Sequence, residues 1–149
     1  MVEAMEEQDI VYANLGPSPM AEMAKAVVKA AEKSNVRRLI WVATIGIYEE
    51  EPKAAIPEMR LQGGMMDDPN SYIGDEPLGA DIIEASSIIS TIIRPNLLTN
   101  DGQSDYVINA RTDQVEVAEV SRGNVAHFIS QLILQPEQYQ NDSVAITNL

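Results

Sequence analysis

The sequence contains no cysteine, and its 149 residues include one histidine, one phenylalanine and one tryptophan. The lack of thiols excludes disulfides, zinc–thiolate sites and cysteine catalysis. The single histidine, His127, cannot form a metal site alone, so we predict no bound metal. With so few aromatic rings, the core must be built from Ile, Val, Leu and Ala, a composition that suits a parallel sheet covered by helices.

Positive charge and long apolar runs are also scarce. Ten Lys and Arg stand against 23 Asp and Glu, for a formal net charge of -13. This balance argues against binding to nucleic acid or to an anionic membrane surface. No apolar run approaches the ~18 residues that a membrane span needs. The acidic start, MVEAMEEQ, lacks the basic region of a signal peptide. We therefore expect a soluble cytoplasmic protein.

The first third of the chain contains a strand, a helix and a strand. Residues 10–15, IVYANL, and residues 37–44, RRLIWVAT, have the apolar runs of short buried strands. Between them, apolar residues recur at helical spacing after a turn in which Ser18 can cap the helix. The predicted helix runs from Met20 to Lys33, with Met20, Met23, Ala26, Val27, Ala30 and Ala31 on its apolar face. Such a βαβ unit requires parallel strands.

The remainder predicts further elements of the same kind. Residues 49–79 hold four prolines and a glycine pair, and predict a long irregular segment. After it we expect a helix in LGADIIEASSI (78–88) and a strand in STIIRPNLLT (90–99), which Pro95 interrupts. Two short strands follow, YVINAR (106–111) and QVEVAEV (114–120), around a turn at Thr112–Asp113. The last elements are a helix over 122–134, capped by Ser121, and a strand in SVAITNL (143–149). This order predicts a single α/β domain over residues 1–149.

Small and polar residues follow three of the predicted strands. The three segments are Ala13-Asn14-Leu15-Gly16, Ala43-Thr44-Ile45-Gly46 and Arg94-Pro95-Asn96-Leu97. Ligands of open α/β sheets bind outside the carboxyl ends of the strands, where small residues let a flat ligand approach the backbone. The alternative is that these residues serve only as turns and caps.

Several segments together resemble the NmrA-like branch of the atypical short-chain dehydrogenases. The segments, in order, are YANLG, RRLIWVATIGIY, ADIIEASS, STIIRPNLLTN and EVSRGNVAHFI. The resemblance implies a Rossmann-like, mainly parallel sheet flanked by helices, and NAD or NADP as cofactor. It implies that Thr44, Ile45 and Gly46 lie beside the nicotinamide ribose, that Asn14, Leu15 and Gly16 line the middle of the dinucleotide, and that Pro95, Asn96 and Leu97 close over the nicotinamide. Tyr48 would point into the substrate cleft.

The sequence departs from that family at the phosphate-binding turn. The family's first strands and Gly-rich turn have no counterpart among these residues, and the eight glycines form no G-x-G-x-x-G. GDEPLG (74–79) cannot replace the turn, because Asp75 and Glu76 would repel phosphate. In the family's strand order, residues Ile10–Leu15 would then form an exposed apolar edge. We therefore predict a homo-oligomer, or pairing with a partner, through this edge.

The second departure concerns the catalytic residues. Short-chain dehydrogenases use a Tyr with a Lys, and a Ser that holds the carbonyl, but no Tyr-x-x-x-Lys occurs here. Thr44 stands near the place of that Ser. Tyr48, with Lys53 as the nearby cation, or Tyr72 can supply the acid, and packing tyrosines are the alternative. We expect Arg94 to pair with an acid, and Glu49, Glu50 and Glu51 to form a solvated loop edge.

Three functions remain open at this point. The first is an NAD(P)H-dependent oxidoreductase acting on a small molecule. The second is a non-catalytic dinucleotide-sensing or regulatory module, which the missing Tyr-x-x-x-Lys favours. The third is a cofactor-free oligomeric scaffold, which the missing Gly-rich turn favours.

Overall fold

A five-stranded sheet organises the residues that the computed structural model describes, namely 1–16, 19–51 and 68–149. Its strand order is β1-β2-β3-β7-β5. The first four strands are parallel, and β5 is antiparallel to β7. The strands are β1 (Ile10–Ala13), β2 (Arg38–Val42), β3 (Ile89–Pro95), β5 (Tyr106–Asn109) and β7 (Asp142–Asn148). A second, two-stranded parallel sheet joins β4 (Leu97–Thr99) to β6 (Glu119–Ser121).

Helices cover both faces of the large sheet. They are α1 (Val2–Met5), α2 (Met20–Lys33), α3 (Tyr72–Glu84) and α4 (Arg122–Leu134). Alternate strand residues point to opposite faces. Trp41 and Ile92 therefore pack with α2 and α3, whereas Ile40 and Ile93 pack with α4. The predicted α/β class with a mainly parallel sheet is confirmed.

Helix α2 has the predicted bounds. It ends in a Schellman motif, in which Asn35 has a φ of 56° and Val36 N–H donates to the Ala31 carbonyl at 3.0 Å. Its buried face differs from the predicted one, because Ala24 is buried, Ala26 is exposed and Met23 is half-buried. Ser18, the predicted cap, lies outside the described residues.

The predicted helix over residues 78–88 was wrong at both ends, since α3 runs from Tyr72 to Glu84. The helix begins at Tyr72, where the Ser71 hydroxyl caps it by accepting from Gly74 N–H at 3.0 Å, and Pro77 lies inside it. Gly79 lets α3 approach α2 closely, since a methyl group there would lie 3.2 Å from Met20 Cβ. Packing against α2 therefore outweighs the breaking tendency of Pro77. The predicted irregular segment falls largely on residues 52–67, outside the described residues.

The C-terminal elements confirm three predictions and correct one. β3 ends at Pro95, α4 has the predicted bounds, and the Ser121 hydroxyl accepts from Asn124 N–H at 3.0 Å. The turn at Thr112–Asp113 is present, but residues 114–118 of the predicted second strand form no strand. β5 joins the edge of the large sheet beside β7, and β6, reduced to Glu119–Ser121, pairs with β4.

The strand β1 forms one edge of the sheet, as predicted, although it ends at Ala13 rather than at Leu15. The side chains of Tyr12 and Leu15 are 43% and 40% exposed. No helix in the described ranges is long and apolar enough to cross a membrane.

Candidate active site at the carboxyl ends of β1, β2 and β3

The three polar strand ends meet at one edge of the sheet. Their strands are adjacent and parallel, with Ala13 opposite Trp41 and Val42 opposite Ile93. Backbone pairing continues past β2, because Ala43 N–H donates to the Ile93 carbonyl at 2.8 Å and Ile45 N–H to the Pro95 carbonyl at 3.2 Å. The structure therefore brings the predicted segments 14–16, 44–46 and 95–97 together.

Two glycines turn the chain at this edge. Gly16 has a φ of 141° and Gly46 a φ of 92°, values that side chains other than glycine rarely adopt. Asn14, Leu15 and Gly16 are exposed at the edge, whereas Ile45 is buried against Val115 and Ala145. The first segment is thus open to a ligand. In the second, the half-buried Thr44 offers a side-chain hydroxyl.

A pocket of about 230 Å³ joins two of the segments on the α4 side of the sheet. Asn14 and Pro95 line it, with Tyr12 and Val42 from the strands and the exposed Arg122 from α4. Its other lining residues are Leu98, Val125, Ala126 and Ile129. An apolar wall with one guanidinium fits part of a nucleotide, although the volume is below the range usual for a whole drug-sized ligand.

Both polar atoms of the Asn96 side chain are hydrogen-bonded to other groups of the protein. Its oxygen accepts from the N–H groups of Leu97 and Ala118, each at 3.0 Å. Its nitrogen donates to the Glu116 carbonyl at 2.8 Å and to Thr147 Oγ1 at 3.2 Å. Asn96 therefore shapes the loop beside the site, while the neighbouring Leu97 is exposed.

Tyr48 lies in a group that we call the arginine cluster: Tyr48, Glu50, Glu84, Arg94 and Arg111. The Tyr48 hydroxyl donates to Glu84 Oε1 at 2.8 Å, and Arg111 also pairs with Glu84. The guanidinium carbons of Arg111 and Arg94 lie 4.0 and 5.0 Å from the Tyr48 ring centroid. Burial, above all, raises the pKa of Tyr48 to about 12. Arg111 and Arg94, which sequence reasoning missed as partners, are its cations here, and Lys53 lies outside the described residues.

Arg94 pairs with an acid, as predicted, and that acid is Glu50. Both side chains are buried, and Arg94 also donates from Nε to Ser143 Oγ at 3.1 Å. The expected solvated loop edge was wrong for two of its three residues, because Glu50 and Glu51 are buried and only Glu49 is exposed. The buried Arg94 draws Glu50 inward, since an unpaired guanidinium in the core would be costly.

A second tyrosine stands beside Thr44, in a set that we call the Tyr72 group: Thr44, Tyr72, Asp75 and Glu76. Tyr72 is the first residue of α3, and Thr44 and Glu76, one turn later, are near enough to its hydroxyl to act on its pKa. Burial and the charge of Glu76 raise the pKa of Tyr72 to about 12, and Thr44 opposes this shift. Burial raises the pKa of the Glu76 carboxyl to about 7, and Tyr72 opposes that shift.

Asp75 has a separate role at the start of α2. Its carboxylate accepts from the backbone N–H groups of Met20 and, at 3.2 Å, Ala21. The first free amides of α2 are therefore already bound by an anion, which also complements the helix dipole. GDEPLG (74–79) therefore lies within α3 rather than in the predicted irregular segment.

Sequence reasoning named Tyr72 as one candidate acid but missed Glu76. The signal was the spacing of four residues between Tyr72 and Glu76, which places both on one face of a helix. That spacing was uninformative while Pro77 indicated a loop. The cofactor-binding roles of residues 14–16, 44–46 and 95–97, and the catalytic roles of Thr44 and Tyr48, stay predictions.

Parallel strands with crossover helices and polar strand ends define a Rossmann-type nucleotide-binding domain. The sequence model of the NAD(P)H-binding family matches residues 1–136, and the chain belongs to that family. A comparison with curated proteins found no match.

Three solved structures illustrate the likeness. A Rossmann-fold NAD(P)-binding family protein from Shigella flexneri is 32% identical, with a TM-score of 0.74, over 99% of this chain and 64% of that one. A short-chain dehydrogenase/reductase from Veillonella parvula, solved in complex with NADP, is 24% identical, with a TM-score of 0.85, over 99% and 66%. An oxidoreductase from Lactococcus lactis is 22% identical, with a TM-score of 0.76, over 100% and 66%. The chain thus spans about two thirds of the length of these proteins.

Proposed function

We propose that this chain forms the strand-end part of an NAD(P)H site in an NmrA-like oxidoreductase that acts on a small molecule. The observation that carries the proposal is the meeting of Asn14, Thr44 and Pro95 at one sheet edge, beside the two left-handed glycines. Membership in the NAD(P)H-binding family supports it. The NADP complex of the Veillonella parvula relative supports the choice of ligand class.

The residues present fit such a cofactor. Residues 14–16 would lie along the middle of the dinucleotide, Thr44 and Gly46 beside the nicotinamide ribose, and Pro95 and Leu97 over the nicotinamide. The chemistry that reduced nicotinamide supplies when bound is hydride transfer. The Thr44 hydroxyl would orient a substrate oxygen, and Tyr48 or Tyr72 would donate the proton. Of the two, Tyr72 is favoured, because it is the one whose hydroxyl the Thr44 side chain influences.

A binding titration with NADPH and NADH tests the proposal. The informative variant is Gly16→Val, because a branched side chain is strained at a φ of 141° and should weaken binding by about tenfold or more. Gly102→Val is the matched control, since a Cβ at Gly102 has no heavy atom within 4 Å. Equal affinity of the two variants for NADPH would contradict the placement of the cofactor. Absence of binding at millimolar cofactor would contradict the proposed function.

A dinucleotide-sensing module is the second candidate. The carboxylate beside Tyr72, where short-chain dehydrogenases use a Lys, is the observation that favours it. This function predicts micromolar binding of NADPH with no turnover of any carbonyl compound. An oxidoreductase predicts NADPH consumption that Thr44→Val reduces.

We further propose that the chain assembles as a homo-oligomer through the edge strand β1, predicted as Ile10–Leu15. Support comes from the outer side of β1, which pairs with no other strand among the described residues, and from the exposed Tyr12 and Leu15 beside it. Tyr12→Lys should shift the molecular mass in solution toward the monomer, because charge on an edge strand opposes pairing. Val107→Lys places the same change on β5, at the other edge, and should leave the mass unchanged. A wild-type monomer by light scattering would contradict this proposal. We expect the chain in the cytoplasm, where a reduced nicotinamide pool would supply it.

A further inference from the structure

The Tyr72 group contains a buried acid that the proposed reaction has not yet used. Glu76 is 2% exposed, and its Oε2 has no hydrogen-bond partner among the described residues. It lies four residues after Tyr72 on the same helix face, which brings the carboxyl within reach of the Tyr72 hydroxyl. A buried carboxylate without a cation is costly in its charged form, so this position favours a group that holds a proton.

Other charges around Glu76 reinforce that preference. On α3, the nearest acid is Asp75, whose negative charge also raises the pKa of Glu76. α2 brings the backbone N–H groups of Met20 and Ala21 to the carboxylate of Asp75. The segment after β2 contributes the neutral Thr44 hydroxyl through Tyr72. Among the described residues, no cation shifts the pKa of Glu76 or Tyr72.

The direction of a hydrogen bond between Tyr72 and Glu76 would depend on which group holds the proton. An ionised carboxylate is an acceptor only, so it takes the Tyr72 O–H as its donor. A protonated carboxyl can donate to the Tyr72 oxygen instead, and then the phenolic hydrogen is free to point elsewhere. The free direction includes the space beside Thr44, where a substrate oxygen would lie.

We propose that Glu76 is a positioning residue for Tyr72: protonated, it donates to the Tyr72 oxygen and turns the phenolic proton toward a substrate oxygen, whereas ionised, it holds that proton itself. This inference rests on the proposed oxidoreductase function. In the reduction of a carbonyl substrate, for which reduced nicotinamide would supply the hydride, the carbonyl oxygen would take the Tyr72 proton. The Tyr72 oxygen then takes the proton of Glu76, which is left as a carboxylate and regains a proton from water.

The Tyr72–Glu76 pair favours a different direction of proton transfer from a tyrosine with a neighbouring cation. A neighbouring cation favours the tyrosinate, which can remove a proton from an alcohol, whereas Glu76 disfavours it. The site therefore favours donation of a proton to the substrate over removal of a proton from it. We expect carbonyl reduction, and we expect it to slow as pH rises and Glu76 ionises.

The first test is a titration that needs no cofactor. Tyrosine labelled with carbon-13 at Cζ reports the environment of each phenol, and the Tyr72→Phe variant assigns the Tyr72 signal. We expect the Tyr72 signal to move in one step near neutral pH, and the step to vanish in Glu76→Gln. Glu84→Gln changes the same residue type beside Tyr48 and should preserve the Tyr72 step. A wild-type signal without a step, or a step that survives in Glu76→Gln, overturns the inference.

A second measurement covers the case in which Glu76→Gln does not fold. Glutamate labelled at Cδ in Tyr72→Phe should show a higher titration midpoint for Glu76 than in the wild type, because Tyr72 no longer donates to its carboxylate. An unchanged midpoint would contradict the hydrogen bond on which the inference depends.

The activity measurement separates this inference from the proposed function. With NADPH and phenanthrenequinone as carbonyl probe, the wild-type rate should fall across the pH range of the Tyr72 step. Glu76→Gln, whose amide always donates, should give a rate that is flat over that range. A falling rate in Glu76→Gln would count against the positioning role. A clear Tyr72 step without NADPH binding would instead contradict the proposed function and leave the coupling of Tyr72 to Glu76 established.

Discussion

The arginine cluster and the Tyr72 group each bury a glutamate near a tyrosine, but only the first supplies cations. Glu50 pairs with Arg94, and the Tyr48 ring lies against both Arg94 and Arg111. Glu76 has Tyr72 and the like charge of Asp75 instead. Both tyrosines have a pKa raised to about 12, mainly by burial. The two sites therefore differ in the charged partners of their glutamates and not in the pKa of their tyrosines.

The comparison separates a structural role from a chemical one. In the arginine cluster the charges are satisfied by fixed partners, which holds the segment after β2 against β3. In the Tyr72 group the carboxyl retains an oxygen without a partner among the described residues and titrates near neutral pH. Groups with such pKa values are candidates for functional sites, whereas a paired buried charge is more often structural.

The largest expected effect comes from breaking the pair in the arginine cluster. Glu50→Gln leaves the guanidinium of Arg94 buried without its counter-ion, and should lower the free energy of unfolding by ~3–5 kcal/mol. Urea unfolding at neutral pH measures the loss. Glu49→Gln, at the exposed neighbouring position, is the control and should change stability little. A loss in Glu50→Gln no larger than that of the control would show that Arg94 finds another partner.

The second effect is a pH dependence from Glu76. Its pKa is about 7 in the folded chain against 4.5 for an ordinary glutamate. The folded state therefore binds the proton more tightly, and stability must fall as pH rises from the lower value to the higher one. The loss from this group should reach about 3 kcal/mol above neutral pH.

Glu76→Gln removes this dependence, because an amide does not titrate. The difference in unfolding free energy between wild type and variant should grow in favour of the variant as pH rises, and should level off above neutral pH. Taking the difference cancels the titration of the other carboxyl groups. A difference that stays constant with pH would contradict the raised pKa, and a difference of opposite sign would indicate a hidden cation.

Most of the fold was predictable because it depends on local patterns. The apolar spacing of α2, the capping serine of α4 and the proline that ends β3 all act within a few residues. The site was predictable only in outline. Arg94 was expected to meet an acid, but Glu50 could not be chosen over its neighbours, because the choice depends on how the segment after β2 folds back. Glu76 was hidden because Ser71 and the packing of Gly79 on Met20 start α3 before Pro77, and such long-range contacts leave no periodic signal.

The smallest expected effect concerns the exposed side of the arginine cluster. Arg111 pairs with Glu84 and lies over the Tyr48 ring, but both charged side chains are partly exposed, at 45% and 29%. Solvent screens such pairs, so Arg111→Ala should cost only about 1 kcal/mol, from the ion pair and the cation–π contact together. High salt should shrink this cost, whereas it should leave the effect of Glu50→Gln almost unchanged, because buried charges are poorly screened. Equal salt sensitivity of the two variants would mean that solvent reaches Arg94 and Glu50. It would contradict the distinction between a buried and an exposed ion pair within the arginine cluster.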